Sequence, residues 1–445
     1  MGYFPTFVKS YVQQRALVSF LKKSEYWTEQ QWKTYQIQLL KKLVSHCYDH
    51  VLYYKNLFNK YDIKFGNINT VEDLRIIPFL SRELVKENIN ELKAKNYKES
   101  IFHRIKTSGT TEEPLSFYVN KDRWLANHFA YNRMFMHRGG YKRGKRTVSI
   151  LGISNKTRLH RLLNTLELAS LYLDHQYEYF LKKIEDCNPH FIVSYPSAIY
   201  FLAKFMLETN GTYSFDINAI FCHGEPVYPW QKETIEKAFH CRLFDIYGNG
   251  EKNAISATCE KSDLHHVFPN YCILELIDAK GNPVTTEGAI GEIVATGLQS
   301  FIFPFIRYKT GDVGVYTCET CACGRKYPMV KRIIGRINDG VVTNDNKIIL
   351  SSKINHLISQ HSNGVLKWQI KQERSGELQI SLVLYNKTIS KDSIKETIMK
   401  AFEETFSNEF ELTFAFPISL QDDNTRKHRF LIQSLPVNLL NDHIF

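Results

Sequence analysis

Asp245-Ile-Tyr-Gly-Asn-Gly-Glu251 is the stretch on which the reading of the fold turns. Just before it, Ala219-Ile-Phe-Cys-His-Gly-Glu-Pro226 reads as a short apolar strand closed by a Gly-Glu-Pro turn. Trp230–His240 reads as an amphipathic helix, and Arg242-Leu-Phe-Asp-Ile-Tyr247 as a second strand. Two strands joined by a helix form a parallel crossover, because a tight turn cannot link parallel strands. The Gly224 turn and the Gly248 loop then both open at carboxyl ends of strands, where such sheets bind ligands. Glu251 faces that crevice, although in isolation it reads equally well as a solvated loop carboxylate.

Upstream, Ile105-Lys-Thr-Ser-Gly-Thr-Thr-Glu-Glu-Pro-Leu-Ser-Phe-Tyr-Val119 sets a hydroxyl-rich turn between two strand-like segments. Backbone N–H groups and hydroxyls in such a turn suit phosphate oxygens; the plain alternative is a polar hairpin. Downstream, Phe303-Pro-Phe-Ile-Arg-Tyr-Lys-Thr-Gly-Asp312 follows a strand at Gly291–Thr296 and puts Asp312 in a turn. An acid at a strand end can hold ribose hydroxyls, and Asp is also an ordinary turn former.

The rest of the chain alternates. Residues 7–60 have helical spacing and many aromatics, a lead-in that packs on a core or rests on a membrane face. Leu74–Leu80 reads as extended and broken by Pro78, with a helix capped at Ser81 behind it. Helices at Phe129–Met136, Arg158–Leu173, Tyr177–Asp186 and from Pro196 alternate with strands at Thr147–Leu151 and His190–Val193, which argues for a sheet covered on both faces. After Arg336, strands at Lys347–Leu350, Val365–Gln372 and Leu378–Leu384 surround a helix at Ile394–Phe406. The expected fold is α/β: a large N-terminal domain, 1–335, whose β-sheets are covered by helices, and a small mobile α+β C-terminal domain, 336–445.

Composition narrows the function. The 445 residues, 43% hydrophobic, can bury a core large enough to split into domains. Lys+Arg of 57 against Asp+Glu of 46 favours anionic ligands. The basic residues are scattered and form no stripe, which argues against nucleic acid. No run reaches the roughly 18 apolar residues of a membrane span, so membrane contact is at most peripheral. Nine cysteines in a chain this long, with no secretory leader, point to a reducing cytoplasm rather than a disulfide scaffold.

Thr107-Ser-Gly-Thr-Thr111, Gly224-Glu-Pro, Tyr247-Gly-Asn-Gly-Glu251, Tyr308-Lys-Thr-Gly-Asp312 and Gly335-Arg336 occur in one order along nearly the whole chain. In this the sequence resembles adenylate-forming enzymes, specifically the phenylacetate-CoA ligase family and most closely its capsular polysaccharide biosynthesis branch. The resemblance implies an ATP-dependent, AMP-forming ligase that activates a carboxylic acid and passes the acyl group to CoA or to a polysaccharide precursor. It further implies that Ser108, Gly109, Thr110 and Thr111 grip the phosphates. Gly224, Glu225 and Tyr247 would flank the adenine, with Gly248 also at the nucleotide, Asp312 and Arg336 would bind the ribose, and Glu251 would hold Mg²⁺. The family's catalytic lysine matches Lys427, in Arg426-Lys-His-Arg429. Three departures, Glu112-Glu113 after the threonines, Asn338 in place of an acid, and Arg426 in place of glycine, leave open a nucleotide-binding accessory protein with little turnover.

Cys321-Ala-Cys323 on a tight turn, with Cys259 and His265-His266 across a sheet segment, supplies the soft donors of a closed tetrahedral Zn²⁺ site. Some members of the family carry such a structural zinc. The expected set is Cys259, His266, Cys321 and Cys323, with His265 and Cys318 as substitutes.

Overall fold

The computed structural model describes residues 3–107, 114–142, 144–152, 164–170, 173, 176–209, 211–385, 389–420 and 427–440. The chain forms two compact units. One comprises Met1–Tyr141 and Ile246–Ile333, the other Lys142–Asp245 and Ile334–Phe445.

The first unit opens with the expected helical lead-in, Tyr3–Ser24, Glu29–His50 and Leu52–Lys60. Thr28 starts the second helix with a capping box, its side chain accepting from the Gln31 N–H while the Gln31 side chain accepts from its own. Leu40, Leu43, Val44 and Cys47 recur at helical spacing and are fully buried. Ser81 caps the helix Arg82–Glu87 as expected. The segment before it departs from the reading: Glu72–Ile76 is a 3-10 turn, and extended pairing is limited to a bridge between Leu80 and Tyr308.

The hydroxyl-rich turn is carried by an antiparallel hairpin, Phe102–Lys106 with Ser116–Asn120. Cys272–Ile277, Ile290–Gly297 and Tyr308–Val315 form an antiparallel sheet. Asp312 lies within the last of these strands, not in a turn. Gly311, at φ +72°, and a register shift between Glu292 and Val294 bulge the ladder there, so the turn-like Thr-Gly-Asp signature marks an irregular strand.

In the second unit Thr147–Ile150 pairs in parallel with Thr165–Leu168 on one side and Phe191–Ser194 on the other, and Ala219–His223 continues the sheet. The expected helix Arg158–Leu173 is corrected here. Residues 153–163 are outside the described set, but Thr165-Leu-Glu-Leu168 is an edge strand, its period-two alternation prevailing over a helical pattern. Pro196 begins the helix Pro196–Glu208 at its first position as read, and Pro229–Phe239 joins Ala219–His223 to Arg242–Gly248, its hydrogen-bonded neighbour.

The C-terminal strands Val365–Arg374 and Glu377–Leu384 are antiparallel and are flanked in parallel by Leu431–Gln433 and Glu411–Ala415. The helices are Ser351–His361, absent from the sequence reading, and Lys391–Phe406. These residues share one core with 142–245: Trp368, fully buried, lies about edge-on to Tyr200 and Phe201 at 6.0 Å each. The 335/336 boundary drawn from sequence falls inside the strand Arg332–Arg336, two residues past the change of unit.

Candidate active site and metal centre

In the first unit, Tyr247 donates from its hydroxyl to Asp312 Oδ2 at 2.8 Å. Glu251, 7% exposed, accepts from the Tyr308 hydroxyl at 2.8 Å, and Arg82 Nη1 stands 3.8 Å from the same oxygen. Burial, together with the adjoining Glu251 carboxylate, pushes the Tyr308 phenol well up and keeps it a donor. Asn249 holds the loop that carries Glu251, its Oδ1 accepting from the N–H groups of Asn253 and Ala254 at 3.2 Å each. The loop also meets the start of the hydroxyl-rich turn, since a Cβ added at Gly250 would lie 2.9 Å from Thr107 Cγ2. Thr107 is itself pinned, exchanging two 2.9 Å hydrogen bonds with Leu115 across the mouth of the hairpin. Ser108, Gly109, Thr110 and Thr111, with Glu112 and Glu113, lie outside the described residues.

The second unit holds Gly224, Glu225, Arg336 and Lys427. Gly224 sits at φ +85°, a conformation that favours glycine, and its carbonyl accepts from Lys427 Nζ. A Cβ there would come within 3.1 Å of that nitrogen and 3.3 Å of the Tyr195 ring. Glu225 Oε2 accepts from the Ser197 N–H at 2.9 Å, in the first turn of Pro196–Glu208, where a carboxylate satisfies an orphan donor and meets the positive end of the helix. Burial pushes the Glu225 carboxyl up; the Ser197 N–H and Lys427 oppose it without cancelling it. Arg336 is exposed. Beside it Asp339 accepts from Tyr228 at 3.2 Å and from Ser351 at 2.6 Å. Gly335 is required there, because its Cβ would fall 2.6 Å from Asp339 Oδ2.

The sulfur and imidazole donors converge in the first unit. The ligand atoms of Cys259, His266, Cys321 and Cys323 all lie within 4.8 Å of one another. Cys259 Sγ is 3.5 Å from Cys321 Sγ, and Cys323 Sγ is 3.8 Å from His266 Nε2. Around a tetrahedral zinc, ligand atoms stand roughly 3.5–3.8 Å apart, so the donor set fits such an ion. His266 is pushed down to about 3 by burial and by Arg138 and Arg325, which leaves a neutral ring with a lone pair to give. Burial raises the Cys323 thiol, but hydrogen bonds from Arg325 outweigh it and the net shift is downward. Of the substitutes, His265 Nδ1 lies 3.3 Å from Ser256 Oγ, and Cys318 is exposed with its N–H on Glu287 at 2.7 Å; neither joins the cluster.

Sequence reading missed the residues that hold this chemistry in place. Tyr308 was visible inside its motif but not as the partner of Glu251, 57 residues away. Arg325 follows the cysteine turn and binds Glu25 at 2.7 Å and Glu260 at 2.9 Å, tying that turn to the end of the first helix. Its signal was a lone Arg after Cys-Gly.

The family described as the CapK C-terminal domain matches residues 341–434. Protein CapK from Staphylococcus aureus is 25% identical over 395 residues, covering 86% of this chain and 82% of that protein. A phenylacetate-coenzyme A ligase from Thermus thermophilus is 25% identical over 322 residues, 69% of this chain and 71% of the relative. The crystal structure of a 2-hydroxyisobutyryl-CoA ligase in its postadenylation state shares the fold, with TM-score 0.76 and 19% identity over 93% of this chain and 92% of the other. The resemblance to adenylate-forming enzymes, the phenylacetate-CoA ligases and the capsular branch, is thus what comparison with known proteins returns.

Proposed function

We propose that this chain is an ATP-dependent, AMP-forming acid ligase, and the observation that carries the reading is the Glu251 loop. Its acid is oriented by Tyr308 and Arg82, and its glycine abuts Thr107 at the start of the phosphate-gripping turn. In the reaction a carboxylate oxygen of the substrate attacks the α-phosphorus of ATP. A P–O bond forms to the acyl oxygen, the bond to the bridging oxygen breaks, and pyrophosphate leaves with the electron pair. Two anions approach each other, so cations and donors must offset charge that grows during transfer.

Ser108 to Thr111 grip the phosphates in this reading, and Glu251 holds Mg²⁺, which would neutralise them when bound. Gly224, Glu225 and Tyr247 border the adenine, with Gly248 also at the nucleotide, while Asp312, oriented by Tyr247, and Arg336 take the ribose hydroxyls. Lys427 serves the reacting oxygens. The acyl group then passes to CoA, as the names of the ligase relatives suggest, or to an amine or hydroxyl of a surface-polysaccharide precursor, the acceptor that the resemblance read from the sequence implies. Residues 336–445 act as a lid that turns about Asn338-Asp339 between the two half-reactions, a motion that has to part the packing of Trp368 on Tyr200 and Phe201. One structural zinc ion occupies Cys259, His266, Cys321 and Cys323. None of the nine cysteines is in a disulfide and no described helix is long and apolar enough to cross a membrane, which fits a cytoplasmic enzyme.

Carboxylate-dependent exchange of labelled pyrophosphate into ATP, over a panel of aryl, fatty, amino and sugar acids, tests the reading. Exchange with at least one acid is expected. ATP binding with no exchange for any acid would favour an accessory nucleotide-binding protein, the reading that Glu112, Asn338 and Arg426 keep open.

A further inference from the structure

Lys427 is followed by residues tied one after another to a single short stretch, Trp368-Gln369-Ile370, in the strand Val365–Arg374. His428 Nε2 lies 2.8 Å from the Trp368 carbonyl oxygen. Gln369 Nε2 donates to the Arg429 carbonyl at 3.0 Å, and the Ile370 N–H donates to the Phe430 carbonyl at 2.9 Å. Leu431–Gln433 then runs parallel beside Ile370–Gln372. A carbonyl oxygen only accepts, so Nε2 carries the hydrogen in the His428 bond.

The His428 ring is gripped as well as bonded. It meets Phe430 edge-on at 4.5 Å and Phe201 edge-on at 5.0 Å. Its acceptor is fixed too, since Trp368 is fully buried and its indole N–H donates to Asn355 Oδ1 at 2.8 Å. The Lys427 side chain reaches elsewhere. Its Nζ donates to the Gly224 carbonyl and stands 5.4 Å from the centre of the Tyr195 ring. The two neighbours thus divide the work, one side chain entering the packed core and the other reaching the Gly224 turn. A ring that only filled the space between Phe201 and Phe430 could be apolar; the Trp368 carbonyl gives this one a reason to carry nitrogen.

We propose that His428 is the positioning residue of Lys427: by donating from Nε2 to the Trp368 carbonyl it fixes the backbone from which the lysine reaches the Gly224 turn. The proposal rests on the adenylation reading and adds to it a residue that touches no substrate. A lysine is a point charge on a flexible four-carbon stem and goes wherever its backbone goes. It stabilises the charge that grows on the reacting oxygens only if it is held in place beforehand, and a misplacement of about 1 Å can cost roughly a hundredfold in rate. Both partners of the bond belong to residues 336–445, so it sets where that domain carries the lysine. Gly224 and Tyr195 are what the lysine meets on arrival.

The test compares His428→Phe, which keeps a ring between Phe201 and Phe430 but loses the donor, with His428→Gln, whose amide nitrogen restores one. In pyrophosphate exchange by the full-length protein, His428→Phe should lower kcat about tenfold with KM for ATP unchanged within about twofold, and His428→Gln should recover most of the rate. Labelling with acetic anhydride, read by mass spectrometry, follows the lysine directly. Relative to the exposed Lys400, Lys427 should react at least about threefold faster in His428→Phe and at the unaltered rate in His428→Gln. An unchanged kcat, a KM for ATP that rises as much as kcat falls, or equal losses in the two variants would overturn the positioning role. No exchange with any acid by the unaltered protein would overturn the acid-ligase reading and the catalytic consequence with it, whereas unchanged Lys427 labelling in His428→Phe would overturn the anchoring whatever the activity.

Discussion

The two units use the same residue types to opposite ends. In the first, Glu251 and Asp312 are met by phenol hydroxyls from segments 57 and 65 residues away, so tertiary structure aims each carboxylate. In the second, Glu225 satisfies a backbone N–H at a helix start, and Asp339 is enclosed by Tyr228 and Ser351. Burial pushes both of these carboxyls up. The contrast teaches that carboxylates in neighbouring motifs can be oriented by distant side chains or enclosed, and that only their partners tell the two apart. The second unit also holds the Lys427 ammonium, which donates to the carbonyl of Gly224.

The comparison breaks most visibly at Lys427. Lys427→Ala should slow adenylate formation by roughly 10²–10³-fold, as loss of a transition-state donor does, while ATP affinity stays within a few-fold. Pyrophosphate exchange paired with equilibrium ATP binding checks this, and unchanged turnover would refute the assignment.

Next comes the metal centre, which has no counterpart among the described residues of the second unit. Purified protein should carry about one zinc per chain, and Cys323→Ser should lose metal and several degrees of melting temperature together, because ligand bonds contribute folding energy. Metal analysis and thermal melts of the same samples decide it. Full zinc retention by the variant would exclude this ligand set.

A smaller effect sharpens the view of the first unit. Gly250→Ala forces a Cβ against Thr107 Cγ2 at 2.9 Å and should cost about 1–3 kcal/mol, with a raised KM for ATP. Thr107→Ser removes that methyl and keeps the hydroxyl that binds the Leu115 N–H, so the double variant should recover most of the loss. Additive losses would mean that the two residues do not press on each other.

The smallest effect separates the two classes of acid. Because the folded Glu225 carboxyl is pushed up, its protonation stabilises the fold. That contribution is complete below the usual glutamate range and is lost as pH rises through the elevated value. Glu225→Gln imitates the protonated form. It should melt at or above the wild type at pH 8, by up to about 1 kcal/mol, and match it near pH 4. A variant less stable at pH 8 than at pH 4, relative to wild type, would show that the charge on Lys427 and the helix dipole dominate.

The donor cluster was legible because metal chemistry demands particular residue types at ordered places. The four sulfur and nitrogen donors were named correctly as a cluster, since soft ligands on a tight turn have few other reasons to gather. The helix start at Pro196 and the cap at Ser81 were readable because capping is local. Thr165–Leu168 was misread because an edge strand of four residues carries too short a pattern to overrule its helical surroundings, and only pairing with Thr147–Ile150 fixes it. Asp312 looked like a turn because a bulge at Gly311 borrows turn chemistry inside a strand.

The sequence by itself determined the α/β class, through composition and the alternation of strands and helices, and the order of the motifs that carry the family resemblance. Tertiary structure alone decided which acids are aimed and which are enclosed. It also seated Thr107 against Gly250 and built one core from 142–245 and 334–445. Those outcomes depend on side chains that are far apart along the chain and meet only once the sheets have packed, so no local pattern encodes them.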